Sequence, residues 1–241
     1  MWNTHLLQMY LSPLYTTLHK ADYPLLEGAM KVRLAQKSDS AAVQQLLASV
    51  FDDDPLMEWF VRHDDKRSLA FSEFFDYMVN RYCFKYGECW VNDPLTGAAL
   101  WMPPGRWEVP LTDQIASFRQ VLTIFGIQQL LKKFSDRNTI DRNHPRHPHY
   151  YLAALAVLPA ERQKGLGSRL IQPILKRCDE EGIGCYLETS RERTIRFYQR
   201  HGFSIMKKLS FSPEKLPLWC MWRTPNTQRR HTTSAERQNT P

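Results

Sequence analysis

A chain of 241 residues, 43% hydrophobic and 24% charged, is long enough to bury one substantial core, and nothing in its length requires a second. Its formal charge of +7 is spread among acidic residues with no recognised nucleic-acid motif, and no apolar run approaches the roughly 18–20 residues of a membrane helix, so neither a nucleic-acid nor a membrane partner is expected. Five cysteines (Cys83, Cys89, Cys178, Cys185 and Cys220), odd in number and without a C-x-x-C pair, read as reduced packing residues of a cytoplasmic protein.

Residues 1–29 mix aromatic and polar residues without a clear period and are expected to form an N-terminal extension, with Met30 a candidate start of the functional chain. No basic segment precedes their apolar positions, which argues against a secretory signal. Val32 to Leu34 reads as a strand, and Asp39 or Ser40 as the N-cap of a helix whose apolar face includes Val43, Leu46, Leu47 and Val50. Phe51-Asp52-Asp53-Asp54-Pro55 should end that helix, because the residue before a proline is pushed out of α space, and a loop holding Trp59 and Phe60 should follow. The three aspartates read as a solvated loop, with attraction of a cationic amine as the alternative.

Leu69, Phe71, Phe74, Phe75, Met78, Val79 and Tyr82 space as the buried face of a helix over residues 67–85. Two strands at 89–91 and 98–101 flank a hairpin-like turn, and 111–134 reads as helix interrupted near Gly126. Residues 135–149 read as a polar loop. Its His144, His147 and His149 invite a metal, but Pro145 and Pro148 impose extended geometry and no carboxylate or cysteine completes a set, so no metal is expected. At the other end, residues 224–241 are polar and should form a disordered tail.

The chemistry concentrates between residues 150 and 203. Tyr150 to Leu158 is a nearly uninterrupted apolar run, as expected of a central strand buried on both faces, and Pro159 ends it. Arg162-Gln163-Lys164-Gly165-Leu166-Gly167-Ser168 then opens a helix lined by Leu170, Ile171, Ile174, Leu175 and Cys178. Glycines at a helix N-terminus let phosphate oxygens approach free backbone N–H groups, and Arg162 and Lys164 add positive charge; a tight connection needing glycine only for packing is the alternative. A dinucleotide fingerprint fails because Leu170 stands at the third glycine position and four residues separate Leu158 from Gln163. A P-loop fails because no Gly-Lys-Ser/Thr follows.

The order strand, Arg-x-x-Gly-x-Gly, helix, Tyr-Leu-Glu-Thr-Ser, then Phe197-Tyr198 and Gly202-Phe203, resembles the GCN5-related N-acetyltransferase (GNAT) superfamily, in particular the branch that contains puromycin N-acetyltransferase. The likeness is strongest over 149–222. It implies an α/β fold with a central mixed sheet flanked by helices, a catalytic domain over 30–223 and acetyl-coenzyme A as co-substrate. It further implies that the backbone of Leu155, Ala156 and Val157 pairs with the pantetheine arm. The amides of Arg162, Gln163, Lys164, Gly165, Leu166, Gly167 and Ser168 would hold the pyrophosphate, and Tyr198 would protonate the departing thiolate. Where the family often has an asparagine contacting the cofactor, this chain has Arg191, which could reach a phosphate instead.

An alkylamine with a pKa near 10.4 is only about one part in 10³–10⁴ neutral at pH 7, so the reaction calls for a base. Glu188 at the end of an apolar strand is the candidate, a salt-bridged or solvated strand-end residue being the other reading. Phe51, Trp59, Phe60, Trp90, Trp101 and Trp107 lie in or beside elements expected to border the acceptor. The expected activity is N-acetylation of a small-molecule amine. Acetylation of a protein lysine or N-terminus is the rival, and a non-catalytic acyl-coenzyme A sensor is a third reading.

Overall fold

The computed structural model describes residues 31–126, 138–211 and 216–227. The expected extension at 1–29, Met30 and the tail from 228 onward lie outside the described residues, as does the stretch of the expected 111–134 helix that follows Gly126.

Seven strands form one mixed sheet: β1 (Val32–Leu34), β2 (Glu88–Asn92), β3 (Gly97–Met102), β4 (His149–Val157), β5 (Gly184–Thr189), β6 (Ser204–Phe211) and β7 (Leu216–Arg223). Their order is β1-β2-β3-β4-β5-β7-β6, and every neighbouring pair is antiparallel except β4 with β5. The parallel pair needs a crossover, and the helix α6 (Leu166–Glu181) supplies it on one face of the sheet. Its Leu170, Ile171, Ile174 and Cys178 are fully buried against Tyr150, Leu152 and Leu187, so the apolar face read from the sequence is the face that packs.

The opposite face carries α1 (Ser40–Phe51), which buries Val43, Leu46, Leu47 and Val50. It also carries α3 (Arg67–Asp76), which runs through a π-helical stretch at Tyr77–Cys83 into a last turn at Phe84–Tyr86, filling the 67–85 span expected to be helical. All six residues of β3 are buried because helices cover both of its faces. α4 (Leu111–Ala116) and α5 (Phe118–Phe125) are separated at Ser117, a break without a sequence signal, and α5 ends at Gly126, where the interruption is expected. Among the described residues, no helix is long and apolar enough to cross a membrane.

Three expectations are corrected. The segment after Asp54 is a short helix, α2 (Pro55–Phe60), because Pro55 occupies its first turn and the Asp54 carboxylate accepts from the Leu56 and Met57 amides at 2.9 and 3.4 Å. Residues 138–143 are helical and His149 already belongs to β4, so the span around the three histidines is not wholly loop. β4 is buried on both faces only in part: Leu152 and Ala156 are buried, whereas Ala153, Ala154, Leu155 and Val157 are half-exposed.

That partial exposure has a geometric origin. Leu100 of β3 opposes Ala154 while Trp101 opposes Leu152, which leaves Ala153 as a bulge. The extra residue resets the alternation, so that Leu152 and Leu155 both face α6. Pairing with β5 stops at the same place: the ladder joins His149–Leu152 to Gly184–Leu187 and goes no further, although β4 continues to Val157 and β5 to Thr189. The two parallel strands part at the bulge, and the edge of β4 from Ala153 to Val157 stands open toward the gap.

Candidate active site

The gap has a backbone cradle at one end. After the 3-10 turn at Pro159–Glu161, Gln163 (φ +64°) and Gly165 (φ +86°) adopt left-handed conformations that turn the chain into the start of α6. For Gln163 this costs roughly 1–2 kcal/mol, so the turn is imposed by its surroundings. Leu166 anchors the helix start in the core, and no side chain caps it, which leaves the first-turn amides available to an external acceptor. A Cβ on Gly167 would lie 3.3 Å from the Phe197 ring, so glycine lets α6 approach α7 (Glu192–Arg200) closely. Arg162 donates to the Val157 carbonyl at 3.2 Å and Lys164 pairs with Glu161 at 3.2 Å. Uncapped amides, two flanking cations and an open strand edge fit a pantetheine-linked pyrophosphate.

Tyr198 lies on the buried face of α7, its ring edge-on to Phe197 and Phe203 at 5.2 and 5.9 Å between centroids. Burial, with a smaller contribution from Asp54, pushes its phenol far above the ordinary range, so it keeps its proton at neutral pH. Arg191 stands at the N-terminus of α7, and its guanidinium binds Asp54 at 2.9 Å and Asp53 at 2.5 Å. Ser190 Oγ donates to the same Asp54 carboxylate at 3.1 Å. Asp54 is therefore buried and paired, correcting its reading as solvated, whereas Asp53 is exposed and is held below the usual carboxylate range by Arg191. The phosphate role considered for Arg191 is not what its guanidinium does here: both aspartates already occupy it.

Glu188 is the first β5 residue beyond the point where β4 departs, and it opposes Cys220 of β7. Its side chain is 8% exposed and faces away from α6, with His144 Nδ1 at 3.3 Å from Oε1. His144 Nε2 lies 2.9 Å from His149 Nε2, and His149 Nδ1 lies 2.7 Å from the His147 carbonyl oxygen. Trp107 stacks on the His144 ring at 3.9 Å, and Tyr186 and Tyr151 meet it edge-on at 4.5 and 4.9 Å. Burial lowers the His149 pKa to about 4, so that ring is neutral.

Glu188 stands out in the sequence as a strand-end carboxylate, whereas the residues packed against it do not. His144 is 44 residues away in a segment without periodicity, and its ring meets Glu188 only because the 138–143 helix and Pro145 return it over the sheet. Nor do the histidines form a metal set: two ring nitrogens on one zinc ion stand about 3.3 Å apart at tetrahedral geometry, whereas these face each other at 2.9 Å, the distance of a shared proton. Among the described residues no cluster of three or more ligating side chains is arranged for a metal. The aromatics divide between the two faces. Trp59, Phe60 and Trp107 gather on the Glu188 side, while Trp90 and Trp101 pack on the α6 side and Phe51 packs against Phe75. All five cysteines are buried, and burial pushes the Cys185 thiol well up, which suits packing rather than nucleophilic work.

A cradle of uncapped amides and an open strand edge thus lie along the gap between β4 and β5, with the recessed Glu188 carboxylate on β5 just beyond the point where the strands part. The acetyltransferase (GNAT) family model matches residues 122–203, the stretch holding β4, the cradle, α6, β5 and α7. An uncharacterised N-acetyltransferase of Schizosaccharomyces pombe is 26% identical over 219 residues, 86% of this chain and 88% of that protein. Among solved structures, a protein described as histone acetyltransferase HPA2 and related acetyltransferase, from Corynebacterium glutamicum, is similar with a TM-score of 0.64 at 23% identity, over 81% of this chain and 96% of that one. A polyamine N-acetyltransferase of Drosophila melanogaster is similar with a TM-score of 0.55 at 17% identity, over 80% and 99%. The chain is an acetyl-transferring enzyme with the fold of its GNAT neighbours, and its residues 122–203 are similar to the GNAT family model.

Proposed function

We propose that the protein transfers the acetyl group of acetyl-coenzyme A directly to a primary amine of a small molecule, with residues 30–223 as the catalytic unit and no nucleic-acid or membrane partner. The observation that carries this reading is the recessed carboxylate of Glu188, walled by Trp107, Tyr151 and Tyr186 through His144 at the mouth of the strand gap. An amine on a slim apolar or aromatic body suits such walls. The Drosophila neighbour forms N-acetylagmatine, which is a reaction of this kind; an antibiotic-like amine, as in the puromycin N-acetyltransferase branch, belongs to the same class.

Acetyl-coenzyme A would supply the activated acyl group, the Arg162–Ser168 amides would hold its pyrophosphate, and the backbone of Leu155, Ala156 and Val157 would pair with its arm. Glu188 takes one proton from the incoming ammonium, freeing the nitrogen lone pair that forms the C–N bond. As the C–S bond breaks, Tyr198 gives its proton to sulfur and recovers one from the acylated nitrogen. The proton left on Glu188 goes to solvent, so the products are the amide, the free thiol and one proton. The C. glutamicum neighbour's description as a histone acetyltransferase favours the second reading, a protein lysine acceptor.

Release of free coenzyme A, measured with polyamines, arylalkylamines, aminonucleosides, amino acids and lysine peptides, separates these readings. Turnover of small amines at least tenfold above peptides is expected. Activity on peptides alone would replace the proposal with the second reading. Glu188→Gln should lower kcat by 10²-fold or more if the carboxylate is the base.

A further inference from the structure

We propose that Glu188 and His144 take up the acceptor's proton as one unit, and that His149 sets the basicity of that unit by fixing which nitrogen of His144 carries hydrogen. The proposal rests on the reading of Glu188 as the base.

The bonding fixes itself from the far end. The His147 carbonyl can only accept, so His149 must carry its proton on Nδ1, at 2.7 Å, and must present a lone pair at Nε2. His144 Nε2 faces that lone pair at 2.9 Å and must donate to it. A neutral His144 has no second hydrogen, so its Nδ1 lone pair points at the Glu188 carboxylate 3.3 Å away. Acceptor then faces acceptor in a buried place, and a single added proton turns this repulsion into a charge-assisted hydrogen bond. The empty pair is thus arranged to hold one proton shared between its two members. The Trp107 ring stacked on His144, with Tyr186 and Tyr151 at its edges, keeps water from relieving the contact.

Two of the groups packed around the pair are held neutral by burial. Tyr186 of β5 is pushed far up by burial and Cys220 of β7 to about 11, so both stay neutral. On β6, Lys207 donates to Asn143 at 2.6 Å and acts on Cys220, while Arg146 and Glu108 form an exposed pair outside Trp107. The exposed His147 ring packs edge-on against Trp222 at 4.7 Å. His149 itself, lowered to about 4 by burial, is neutral near neutral pH.

Replacing His149 by phenylalanine removes the lone pair that holds the Nε2 hydrogen. His144 is then free to carry its hydrogen on Nδ1 and donate it to the empty carboxylate, which stabilises the empty state. The acid limb of kcat should move to lower pH by about one to two units, one unit being 1.36 kcal/mol. His149→Gln, whose amide oxygen restores an acceptor, should leave the limb near its wild-type position. A structural role alone would lower activity in both variants without moving the limb; an unmoved limb in His149→Phe, or equal shifts in both variants, overturns the proposal. Should His149→Phe not fold, nitrogen-15 spectra of the histidines in the unaltered protein decide it: neutral His144 bearing its hydrogen on Nε2 supports the proposal and on Nδ1 overturns it. Glu188→Gln keeps the two questions apart. If that variant retains both turnover and limb, Glu188 is not the base; if it is inactive while the limb ignores His149, only the pairing fails.

Discussion

Asp54 is where a single carboxylate does most for the site. It accepts from the first amides of α2, from Ser190 Oγ at 3.1 Å and from Arg191 Nε at 2.9 Å, so it fastens α2 to the start of α7, the helix that carries Tyr198. Asp54→Ala removes a helix cap worth about 1 kcal/mol and leaves Arg191, whose side chain is 14% exposed, with only the exposed Asp53 as partner. Breaking a buried pair from one side costs about 3–5 kcal/mol, against a typical domain stability of about 5–15. With a urea slope of roughly 2 kcal/mol/M, the unfolding midpoint should fall by about 2 M. Asp54→Asn keeps an equally good cap and an acceptor for Ser190 but removes the charge, so its loss should be about 1–3 kcal/mol. Both are read by urea unfolding of the full chain, with kcat on the same preparations, which should fall as α7 loses its anchor. A loss below about 1 kcal/mol for Asp54→Ala, or equal losses in the two variants, would refute the charge-pair argument.

Tyr198→Phe keeps the packing against Phe197 and Phe203 and removes only the hydroxyl, so stability should hold while kcat falls roughly 10²-fold with little change in KM for acetyl-coenzyme A; steady-state kinetics check this, and an unchanged kcat excludes the acid role. Gly165→Val places a β-branched residue at φ +86° with no atom within 4 Å of its Cβ, so it strains the turn without a clash; calorimetric titration should show acetyl-coenzyme A affinity reduced roughly tenfold or more, for about 1–2 kcal/mol of turn strain. Asp39 is held below its ordinary pKa by Arg33 and Asp53 by Arg191. Each folded-state pKa lies beneath the unfolded one, so their contribution is present above about pH 4 and is lost as pH falls through the lowered values. Urea unfolding between pH 5 and 3 should show that decline, and Arg33→Ala should make it shallower.

Elements whose signal is local are legible from chain order alone. The period of Val43, Leu46, Leu47 and Val50, and that of Leu170, Ile171, Ile174 and Cys178, is enough to name a buried helical face, because one turn of helix fixes which side chains share a side. Gly165 and Gly167 at a helix start marked the cradle for the same reason: the conformation is set within a few residues. Tyr198 and Glu188 were legible through motif order. Features that depend on contacts between distant segments are not legible in this way. The bulge at Ala153 leaves no trace in an apolar run, since it arises from the register of β4 against β3, and with it comes the parting of β4 from β5. Asp52, Asp53 and Asp54 look alike as a triplet, yet only Asp54 is buried, because Ser190 and Arg191 arrive from more than 130 residues away. His144 and His149 stand out in the sequence only as part of a rejected metal set, yet once that stretch folds back across the sheet His144 meets Glu188 and His149 meets His144, and the proton each must carry follows from neighbours that chain order does not show.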